Sequence, residues 1–584
     1  MNTTEQFDFI DDPIVFSRHP DPAWARRSWV SLNGTWKLSH NGQEQDIRVP
    51  FPIGSAASGV DFEDSGFFVY STIFDYPGLD CLKRYELHIG ACDYQAEVLL
   101  NGRSLGSHRG GYASFSFDIT EDLLARDNRI EVRVRDSHSP RQARGKQTFR
   151  KKAWYVWYDG IAGIWQPVWI EETGKSFVER AVVRENQVSR KVEISVSVSG
   201  PTGDVSRLEA VVTDPSGVSR TFSADVREKG TSFSLSFPFE EIGARHWSPE
   251  HPVLYAISYR LYERNELCDI VESYFGLRSI EVRGKSLMLN GQRLFLRMAL
   301  VQGYYPEGVY TPLSCSVVVK DIDVLKRMGF NGARIHEKIE SPYFHYLCDR
   351  MGLLCSYEMP SFYLGSKSCY RAYESELREI LSRDAMHPSA ILWILFNETW
   401  GVWGVYRRNS RTRKFVESMV ALVHREDPDR PVIENSGWEH FDTDIVDFHH
   451  YLGTSSLARK LYECLASHDE RLFYGFSVWG VIDFYLNDRV TTGTRKVFLE
   501  STPDLDEKPL FLSEYGGFGW YGTEEKGSVS EKIETYTKDI VASGIFCGYC
   551  LTQLYDVGGE VNGLLSFDRK PKMDLERIKR INGA

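Results

Sequence analysis

The pattern of apolar and polar positions divides the chain into three parts. Up to about residue 175, short runs alternate apolar and polar residues and are separated by Gly, Asn and Asp, which is typical of half-buried strands joined by turns. The run "YQAEVLLNGRSLGSH" predicts a hairpin with its turn at Asn101-Gly102, and "RIEVRVRDS" and "QPVWIEETG" predict further strands. We therefore expect a β-sandwich or jelly roll over residues 1–175.

The second part, residues 176–277, continues this alternation. Its strand candidates are "KVEISVSVSG", "RLEAVVTD", "SFSLSFPF" and "YAISYRLYE". A segment of this length with strands at this spacing indicates a second, immunoglobulin-like β-sandwich. Neither of these first two parts contains a recognisable cluster of reactive side chains, so we expect the functional site in the third.

In the third part, residues 278–584, apolar strands alternate with amphipathic helical stretches such as "SCSVVVKDIDVLKRMG" and "SELREILSRDAM". Eight strand candidates follow one another: "LFLRMAL", "GARIH", "LLCSYE", "ILWILFN", "PVIEN", "IVDFHH", "LFLSE" and "FCGYCLT". Eight βα units in a segment of this length predict a (β/α)₈ TIM barrel. The predicted fold class is thus multidomain, with two β-sandwiches followed by an α/β barrel.

Composition limits the classes of partner. The net charge of −12, spread over 584 residues, argues against a nucleic-acid partner. The N-terminal residues lack a basic and apolar leader pattern and no long apolar run follows, so we expect a cytoplasmic protein without membrane contact. The 10 cysteines stand in apolar surroundings and are expected to be reduced. Cys547 and Cys550 would point to opposite faces of a strand, which argues against a zinc site.

Two of the predicted strands carry a glutamate at the carboxyl end. Glu398 follows the fourth strand in "ILWILFNETWG", and Glu514 ends the seventh in "KPLFLSEYGG". The carboxyl ends of barrel strands form one rim, so both carboxylates are expected to face the same space. Two facing carboxylates are what the hydrolysis of a glycosidic bond requires. For each glutamate alone, an ordinary solvated loop remains the alternative.

These motifs resemble glycoside hydrolase family 2. The resemblance rests on "FNETWG", "FLSEYGG" and "YCLTQLYDVGGEVNGLLSFDRKPK" in the barrel, and on "LNGTWKLS", "VLLNGRSLGSHRGGYASFSFDIT", "GIWQPVWIE", "WSPEHPVLY" and "FGLRS" before it. It implies a sugar-binding jelly roll, an immunoglobulin-like domain and a barrel. It also implies a retaining exo-glycosidase, with Glu398 as acid/base and Glu514 as nucleophile. We expect no cofactor.

Four polar residues near the glutamates are candidates for substrate binding. Asn397 is placed to donate a hydrogen bond to the sugar 2-hydroxyl, and Arg334, at the end of strand two, to hold Glu514 ionised. His336 shares the face of Arg334, and Glu358 ends strand three. A rim salt bridge for Arg334 and a structural role for His336 remain the alternatives.

The sixth strand and the segment after the acid/base supply the remaining candidates. In "DFHHYLG", the period of two places His449 and Tyr451 on one face and His450 on the other. We expect Tyr451 to donate to the nucleophile and His449 to meet a sugar hydroxyl, with rim packing as the alternative. Trp400 and Trp403 are candidates for stacking on the sugar.

The sugar is the least determined property. No histidine-rich rim loop indicates the magnesium site of the family's metal-dependent β-galactosidases, so we expect no metal. "EVNGLL" has leucine where the family's glucuronidases have the lysine of an Asn-x-Lys motif, and Tyr515 replaces the phenylalanine typical of mannosidases. "FNETWG" and "RIHEK" resemble a divergent branch that includes galactosidases and furanosidases.

We therefore expect exo-cleavage of a neutral β-linked sugar from a glycoside or oligosaccharide, with galactose or galactofuranose first and an arabinofuranose-type sugar next. A β-glucuronidase, a β-mannosidase, a transglycosylase and a non-catalytic carbohydrate-binding or scaffold protein remain alternatives. The oligomeric state, a homo-oligomer included, stays open.

Overall fold

Two antiparallel sheets form the first part of the chain. The computed structural model describes residues 18–60, 62–225, 231–405, 409–438, 440–451, 454–467, 507–519 and 528–583. The strands are β1 (Trp29–Ser31), β2 (Gly34–His40), β3 (Gln43–Val49), β4 (Gly66–Phe74), β5 (Lys83–Ile89), β6 (Cys92–Asp93), β7 (Gln95–Leu100), β8 (Arg103–Arg109), β9 (Phe115–Asp118), β10 (Asn128–Asp136), β11 (Gly163–Ile164) and β12 (Val168–Gly174). Their order is β1-β12-β5-β9 in one sheet and β3-β2-β4-β10-β7-β8 in the other, with β6 and β11 as a separate pair.

Local sequence explains this sandwich well. Along β10, the period of two buries Ile130, Val132 and Val134 in the core between the sheets. The predicted hairpin joins β7 to β8, and both of its turn residues, Asn101 (φ 52°) and Gly102 (φ 84°), have the positive φ that a tight hairpin turn requires.

Residues after Phe177 form a second antiparallel sandwich. Its strands are β13 (Phe177–Asn186), β14 (Lys191–Ser199), β15 (Val205–Thr213), β16 (Ser219–Asp225), β17 (Ser232–Pro238), β18 (Tyr255–Glu263) and β19 (Glu266–Phe275). One sheet has the order β13-β14-β17 and the other β16-β15-β18-β19. Single 3₁₀ turns lie at Ala56–Ser58, Thr202–Asp204 and Phe239–Ile242.

The eight predicted barrel strands are all present and parallel. A small antiparallel sheet comes first, with β20 (Ile280–Arg283), β21 (Ser286–Leu289) and β22 (Gln292–Leu294). The barrel strands are β23 (Leu296–Val301), β24 (Gly332–Ile335), β25 (Leu354–Glu358), β26 (Ala390–Ile394), β27 (Val432–Ile433), β28 (Val446–His450), β29 (Leu510–Gly516) and β30 (Phe546–Thr552). They pair in the order β27-β26-β25-β24-β23-β30-β29-β28, which leaves the barrel nearly closed. The predicted fold class is confirmed.

Helices cover the outside of this barrel. They are α1 (Cys315–Arg327), α2 (Pro342–Met351), α3 (Lys367–Arg383), α4 (Arg411–Glu426), α5 (Ser455–Ala466), α6 (Val529–Ser543) and α7 (Leu575–Ile581). In α1, the positions Cys315, Val318, Val319 and Ile322 follow the helical period and are buried against the strands. No helix in the described ranges has the length and apolarity needed to cross a bilayer.

The two ends of the barrel differ in character. At the amino-terminal end, Leu287 and Leu289 of β21 pack against the first residues of several strands, including Leu296 and Leu354, in an apolar cluster. Because this apolar cluster closes the amino-terminal end, polar side chains are expected at the carboxyl-terminal end of the strands.

Candidate active site

Glu398 and Glu514 lie at the carboxyl-terminal end of the barrel. Glu398 follows β26, whose residues are all buried, and Glu514 lies within β29. Glu398 and Thr399 both adopt left-handed backbone conformations, with φ of 49° and 60°. Such strained residues persist where the surroundings hold them, and here the backbone N–H of Glu398 donates to the carbonyl of Ser436 at 2.8 Å.

The imidazole of His449 lies between the two carboxylates. Its Nδ1 is 2.8 Å from Oε1 of Glu398, and its Nε2 is 3.4 Å from Oε1 of Glu514. One oxygen of each glutamate lies within 4.8 Å of the other. Burial lowers the pKa of His449, but the charge of Glu514 and the contact with Glu398 outweigh it, so the pKa is raised above its ordinary value.

Glu514 is held as a carboxylate. Nη1 of Arg334 donates to Oε1 of Glu514 at 2.9 Å, and the hydroxyl of Tyr451 donates to Oε2. Burial raises the pKa of Glu514, but the positive charges of His449 and Arg334 oppose it more strongly and lower the pKa to about 2. An ionised, buried carboxylate beside hydrogen-bond donors has the properties of a nucleophile.

Arg334 is itself fixed on every side. It donates to both oxygens of Glu358, from Nε at 2.8 Å and from Nη2 at 3.0 Å, and Nη2 also donates to Oδ1 of Asn397 at 2.9 Å. Nδ1 of His336 lies 2.9 Å from Glu358. Arg334 and Glu358 are both 0% exposed. Glu358 therefore orients Arg334 and is completely buried, and its direct contact with a sugar stays a prediction.

Trp400 and Trp403 belong to an aromatic cluster next to the acid/base segment. The ring of Trp400 packs edge-on against Trp403 at 5.4 Å and lies 6.1 Å from Trp438. It also contacts Trp157 of the first sandwich, with ring centroids 5.4 Å apart. Trp403 is 37% exposed. The aromatic cluster therefore borders the site with both covered and accessible rings.

The first sandwich contacts the segment after the last barrel strand, although its sequence shows no recognisable cluster of reactive side chains. The hydroxyl of Tyr158 donates to Oε2 of Glu560 at 2.7 Å, and Nε2 of Gln553 donates to the same oxygen at 3.2 Å. Burial raises the pKa of Glu560, against the opposing effects of the Lys146 charge and of the Tyr158 hydrogen bond. The charge of Glu514 also raises the pKa of Glu560, and Gln553, which binds Glu560, directly follows Thr552 at the end of β30.

A signal for this contact exists in the sequence. Between β10 and β11, residues 137–162 form a long connection without a regular strand or helix. Connections of this length inside a compact domain are uncommon and are often functional. Its run "FRKKAWYVWYDG" is rich in basic and aromatic residues, which is unlike the alternating strands around it.

A metal ion does not suit this arrangement of donors. In the described part of the chain, Glu398, His449 and Glu514 come close enough to share an ion. A metal-binding histidine must be neutral, however, and the raised pKa of His449 favours its charged form. Nη1 of Arg334 also lies 3.1 Å from Nε2 of His449, so a permanent cation already occupies the neighbouring space.

Comparisons with known proteins cover most of the chain. Three family models match in order: "Glycosyl hydrolase 2 galactose-binding domain-like" at residues 45–188, "Glycosyl hydrolases family 2" at residues 166–278, and "Glycosyl hydrolases family 2, TIM barrel domain" at residues 280–542. The three matches follow the order of the two sandwiches and the barrel.

Individual relatives are distant. A β-galactosidase of Thermoanaerobacter pseudethanolicus is 25% identical over 60% of this chain and 46% of its own length. A β-glucuronidase of Paenibacillus borealis is 22% identical over 70% of this chain and 72% of its own length. The chain spans less than half the length of several curated relatives that it matches. The solved β-glucuronidase of Bifidobacterium dentium superposes with a TM-score of 0.74 at 20% identity, covering 96% of this chain and 98% of that one.

Proposed function

Because the chain belongs to glycoside hydrolase family 2, we propose that it is a retaining exo-β-glycosidase in which Glu514 is the nucleophile and Glu398 the acid/base. The observation that carries this proposal is the placement of His449 between the two carboxylates, one oxygen of each lying within 4.8 Å of the other. Retaining glycosidases have carboxyl groups about 5–5.5 Å apart, whereas inverting enzymes leave a wider space for water.

In the first step, Glu514 attacks the anomeric carbon while Glu398 transfers its proton to the departing glycosidic oxygen. A covalent glycosyl ester forms as the bond to the aglycone breaks. In the second step, Glu398 takes a proton from water, the water oxygen bonds to the anomeric carbon, and Glu514 leaves as a carboxylate. Nδ1 of His449 lies 2.8 Å from Oε1 of Glu398, within hydrogen-bonding distance of the acid/base.

The remaining residues position these groups. Arg334 and Tyr451 stabilise Glu514 as the carboxylate that attacks and later departs. Oδ1 of Asn397 already accepts a hydrogen bond from Arg334, so the amide nitrogen of Asn397 is the group that donates to the sugar 2-hydroxyl. Glu358 and His336 orient Arg334 from behind.

A neutral terminal sugar agrees best with the charges at this rim. Glu560 and Glu337 are buried carboxyl groups with raised pKa values, and Lys146 interacts electrostatically with both. Carboxyl groups form hydrogen bonds with sugar hydroxyls, whereas a uronate would place a further negative charge near the ionised Glu514. We therefore propose galactose or galactofuranose first and an arabinofuranose-type sugar next. A β-glucuronidase is the second candidate because several relatives carry that name.

The proposal is tested with a panel of nitrophenyl glycosides. The panel contains β-galactopyranoside, β-galactofuranoside, α-L-arabinofuranoside, β-glucuronide and β-mannoside, and kcat/KM is measured for each. We expect the highest value on a neutral galactoside or arabinoside. A glucuronide preference of about tenfold, equal to about 1.4 kcal/mol, would reject the proposed sugar. Absence of turnover on every member would favour a non-catalytic protein.

A further inference from the structure

Three stacked groups lead from the acid/base segment to solvent. Trp157, which is 7% exposed, packs against Trp400, two residues after Glu398. Trp154 stacks on Trp157 with ring centroids 5.1 Å apart and an angle of 11° between the planes. The guanidinium carbon of Arg150 lies 3.7 Å from the ring centroid of Trp154. We call Arg150, Trp154 and Trp157 the stacked arm.

The outer end of the stacked arm is positively charged. Arg150, Lys151 and Lys152 are consecutive and exposed, in a chain whose net charge is −12. Nζ of Lys151 lies 3.4 Å from Oε1 of Glu63, but both side chains are largely exposed and such a pair is worth little. Among the residues that the structure describes, no carboxylate lies within ion-pairing distance of the Arg150 or Lys152 side chain.

Stacking prepares Arg150 to bind an anion. A guanidinium that lies flat on an aromatic ring keeps its N–H edge directed away from the ring, and this edge matches the two oxygens of a carboxylate or sulfate. Because the side chain is already ordered by the ring, less conformational entropy is lost when an anion binds. Arg150 is thus exposed, rests on the Trp154 ring and has no carboxylate partner among the described residues, and this combination indicates an anion-binding position.

The location identifies the part of the substrate concerned. Glu398 protonates the departing oxygen in the proposed reaction, so the aglycone leaves on the side of Glu398. The stacked arm begins at Trp157, which packs against Trp400 on that side, and ends at Arg150. On the basis of the proposed function, we propose that the stacked arm binds an anionic saccharide aglycone, whose carboxylate or sulfate group pairs with Arg150 and whose ring lies along the exposed aromatic residues.

The exposed aromatic residues support a saccharide over other anions. Tyr155 is 55% exposed and Trp403 is 37% exposed, and both belong to the same region as the stacked arm. Aromatic faces pack against the C–H surfaces of sugar rings, while the basic residues pair with acidic substituents. Extended polyanions such as nucleic acids are disfavoured because the remaining surface of the chain is net negative.

The test compares substrates that share one terminal sugar. The nitrophenyl glycoside that the wild-type protein cleaves fastest defines this sugar. It is then linked to glucuronic acid, to the methyl ester of glucuronic acid and to glucose 6-sulfate, and kcat/KM is measured for each disaccharide. We expect an acidic disaccharide to exceed the neutral ester by about tenfold at low salt, and high salt to reduce this ratio. Comparing the glucuronic acid and glucose 6-sulfate disaccharides shows which anion is preferred.

Variants then locate the effect. Arg150→Gln should reduce the ratio of acidic to neutral substrate to about twofold or less, with turnover of the nitrophenyl glycoside nearly unchanged. Trp154→Leu should also reduce the ratio, although the charge remains, whereas Trp154→Phe should preserve most of it. Arg283→Gln is the matched control, because Arg283 is exposed and paired with Glu281 at the opposite end of the barrel.

Each outcome has a distinct meaning. A wild-type protein that cleaves nitrophenyl glycosides but shows no preference for either acidic disaccharide would overturn the anionic-aglycone proposal alone. A preference that Arg150→Gln leaves intact would overturn the assignment to Arg150. If the wild-type protein cleaves no glycoside of the panel, the proposed function fails, and the aglycone proposal fails with it.

Discussion

The hydroxyl of Tyr158 donates a 2.7 Å hydrogen bond to Oε2 of Glu560, and this contact joins the first sandwich to the segment after the last barrel strand. Both residues are buried. The carboxyl group of Glu560 has a raised pKa, mainly because of its burial. The first sandwich is therefore packed against the carboxyl-terminal end of the barrel, where Glu398 and Glu514 lie.

Removing this hydrogen bond tests the contribution of the first sandwich. Tyr158→Phe leaves a buried acceptor with fewer donors, so we expect a destabilisation of about 1–3 kcal/mol and a lower kcat/KM on the best glycoside. Thermal melting and steady-state kinetics measure the two effects. Tyr262→Phe is the control: it removes a 2.8 Å hydrogen bond to Glu209 in the second sandwich and should leave kcat/KM unchanged. Equal kinetic losses in both variants would contradict a specific role for Tyr158.

The two glutamates should respond differently to replacement. In Glu398→Ala, substrates with good leaving groups should still form the glycosyl ester, and azide should accelerate the slow second step. In Glu514→Ala, retaining turnover should cease. Proton NMR of the first product should show the anomeric configuration of the substrate. Suppose azide restores activity to the position-514 variant with a β-product and does not accelerate the position-398 variant. The two roles would then be reversed.

Arg334 should control the ionisation of Glu514. The charges of His449 and Arg334 hold the pKa of Glu514 at about 2, so in Arg334→Met we expect this pKa to rise. The acidic limb of the pH profile of kcat/KM should then move to higher pH, together with a large loss of activity. Arg430→Met is the control, because Arg430 is also buried and ion-paired, at 2.7 Å from Asp427, away from the site. A profile shifted equally by both variants would refute the assignment.

His449 should make stability depend on pH in a defined direction. Its pKa is raised in the folded protein, so its contribution is fully present below about pH 6.5 and is lost as the pH rises through the raised value. His449→Gln should therefore lower the thermal midpoint, relative to wild type at the same pH, by more at about pH 6 than at about pH 9.

His450 provides the neighbouring control for this prediction. Burial lowers its pKa to about 3, so the ring is neutral at both pH values. It contacts the hydroxyl of Tyr462, with Nε2 at 2.6 Å, on the other face of the strand. The difference in thermal midpoint between His450→Gln and wild type should thus be the same at both pH values. A pH-independent difference for His449→Gln would show that its charge does not stabilise the fold.

Catalysis is expected to proceed without a metal. Arg334 and the raised pKa of His449 place positive charge where an ion bound by Glu398 and Glu514 would lie. Dialysis against EDTA should leave kcat unchanged. A large loss that magnesium specifically restores would contradict this prediction.

Much of the architecture follows from local sequence patterns. All eight barrel strands were predicted, since continuous apolar runs such as that of β26 are typical of parallel strands covered on both faces. The rim positions of Glu398 and Glu514 also follow from the direction of these strands. The period of two separates His449, which contacts Glu398, from His450, which contacts Tyr462.

The roles of several rim residues did not follow from these patterns. The sequence placed Glu358 at the rim as a sugar-binding candidate, but both of its oxygens bind Arg334. His449 was expected to meet a sugar hydroxyl, yet it lies between the two carboxylates. Strand periodicity shows which face a side chain shares, but not which of several polar neighbours it reaches.

The sequence by itself thus determined the eight barrel strands, their alternation with helices and the rim positions of the two glutamates, because side-chain periods of 2 and 3.6 are set by neighbouring residues. The tertiary structure alone decided that the loop of the first sandwich reaches the barrel. Tyr158 and Glu560 are 402 residues apart, and no local period connects positions so distant. Their contact depends on how the sandwich packs against the barrel, and this packing brings together groups whose charges and hydrogen bonds define the site.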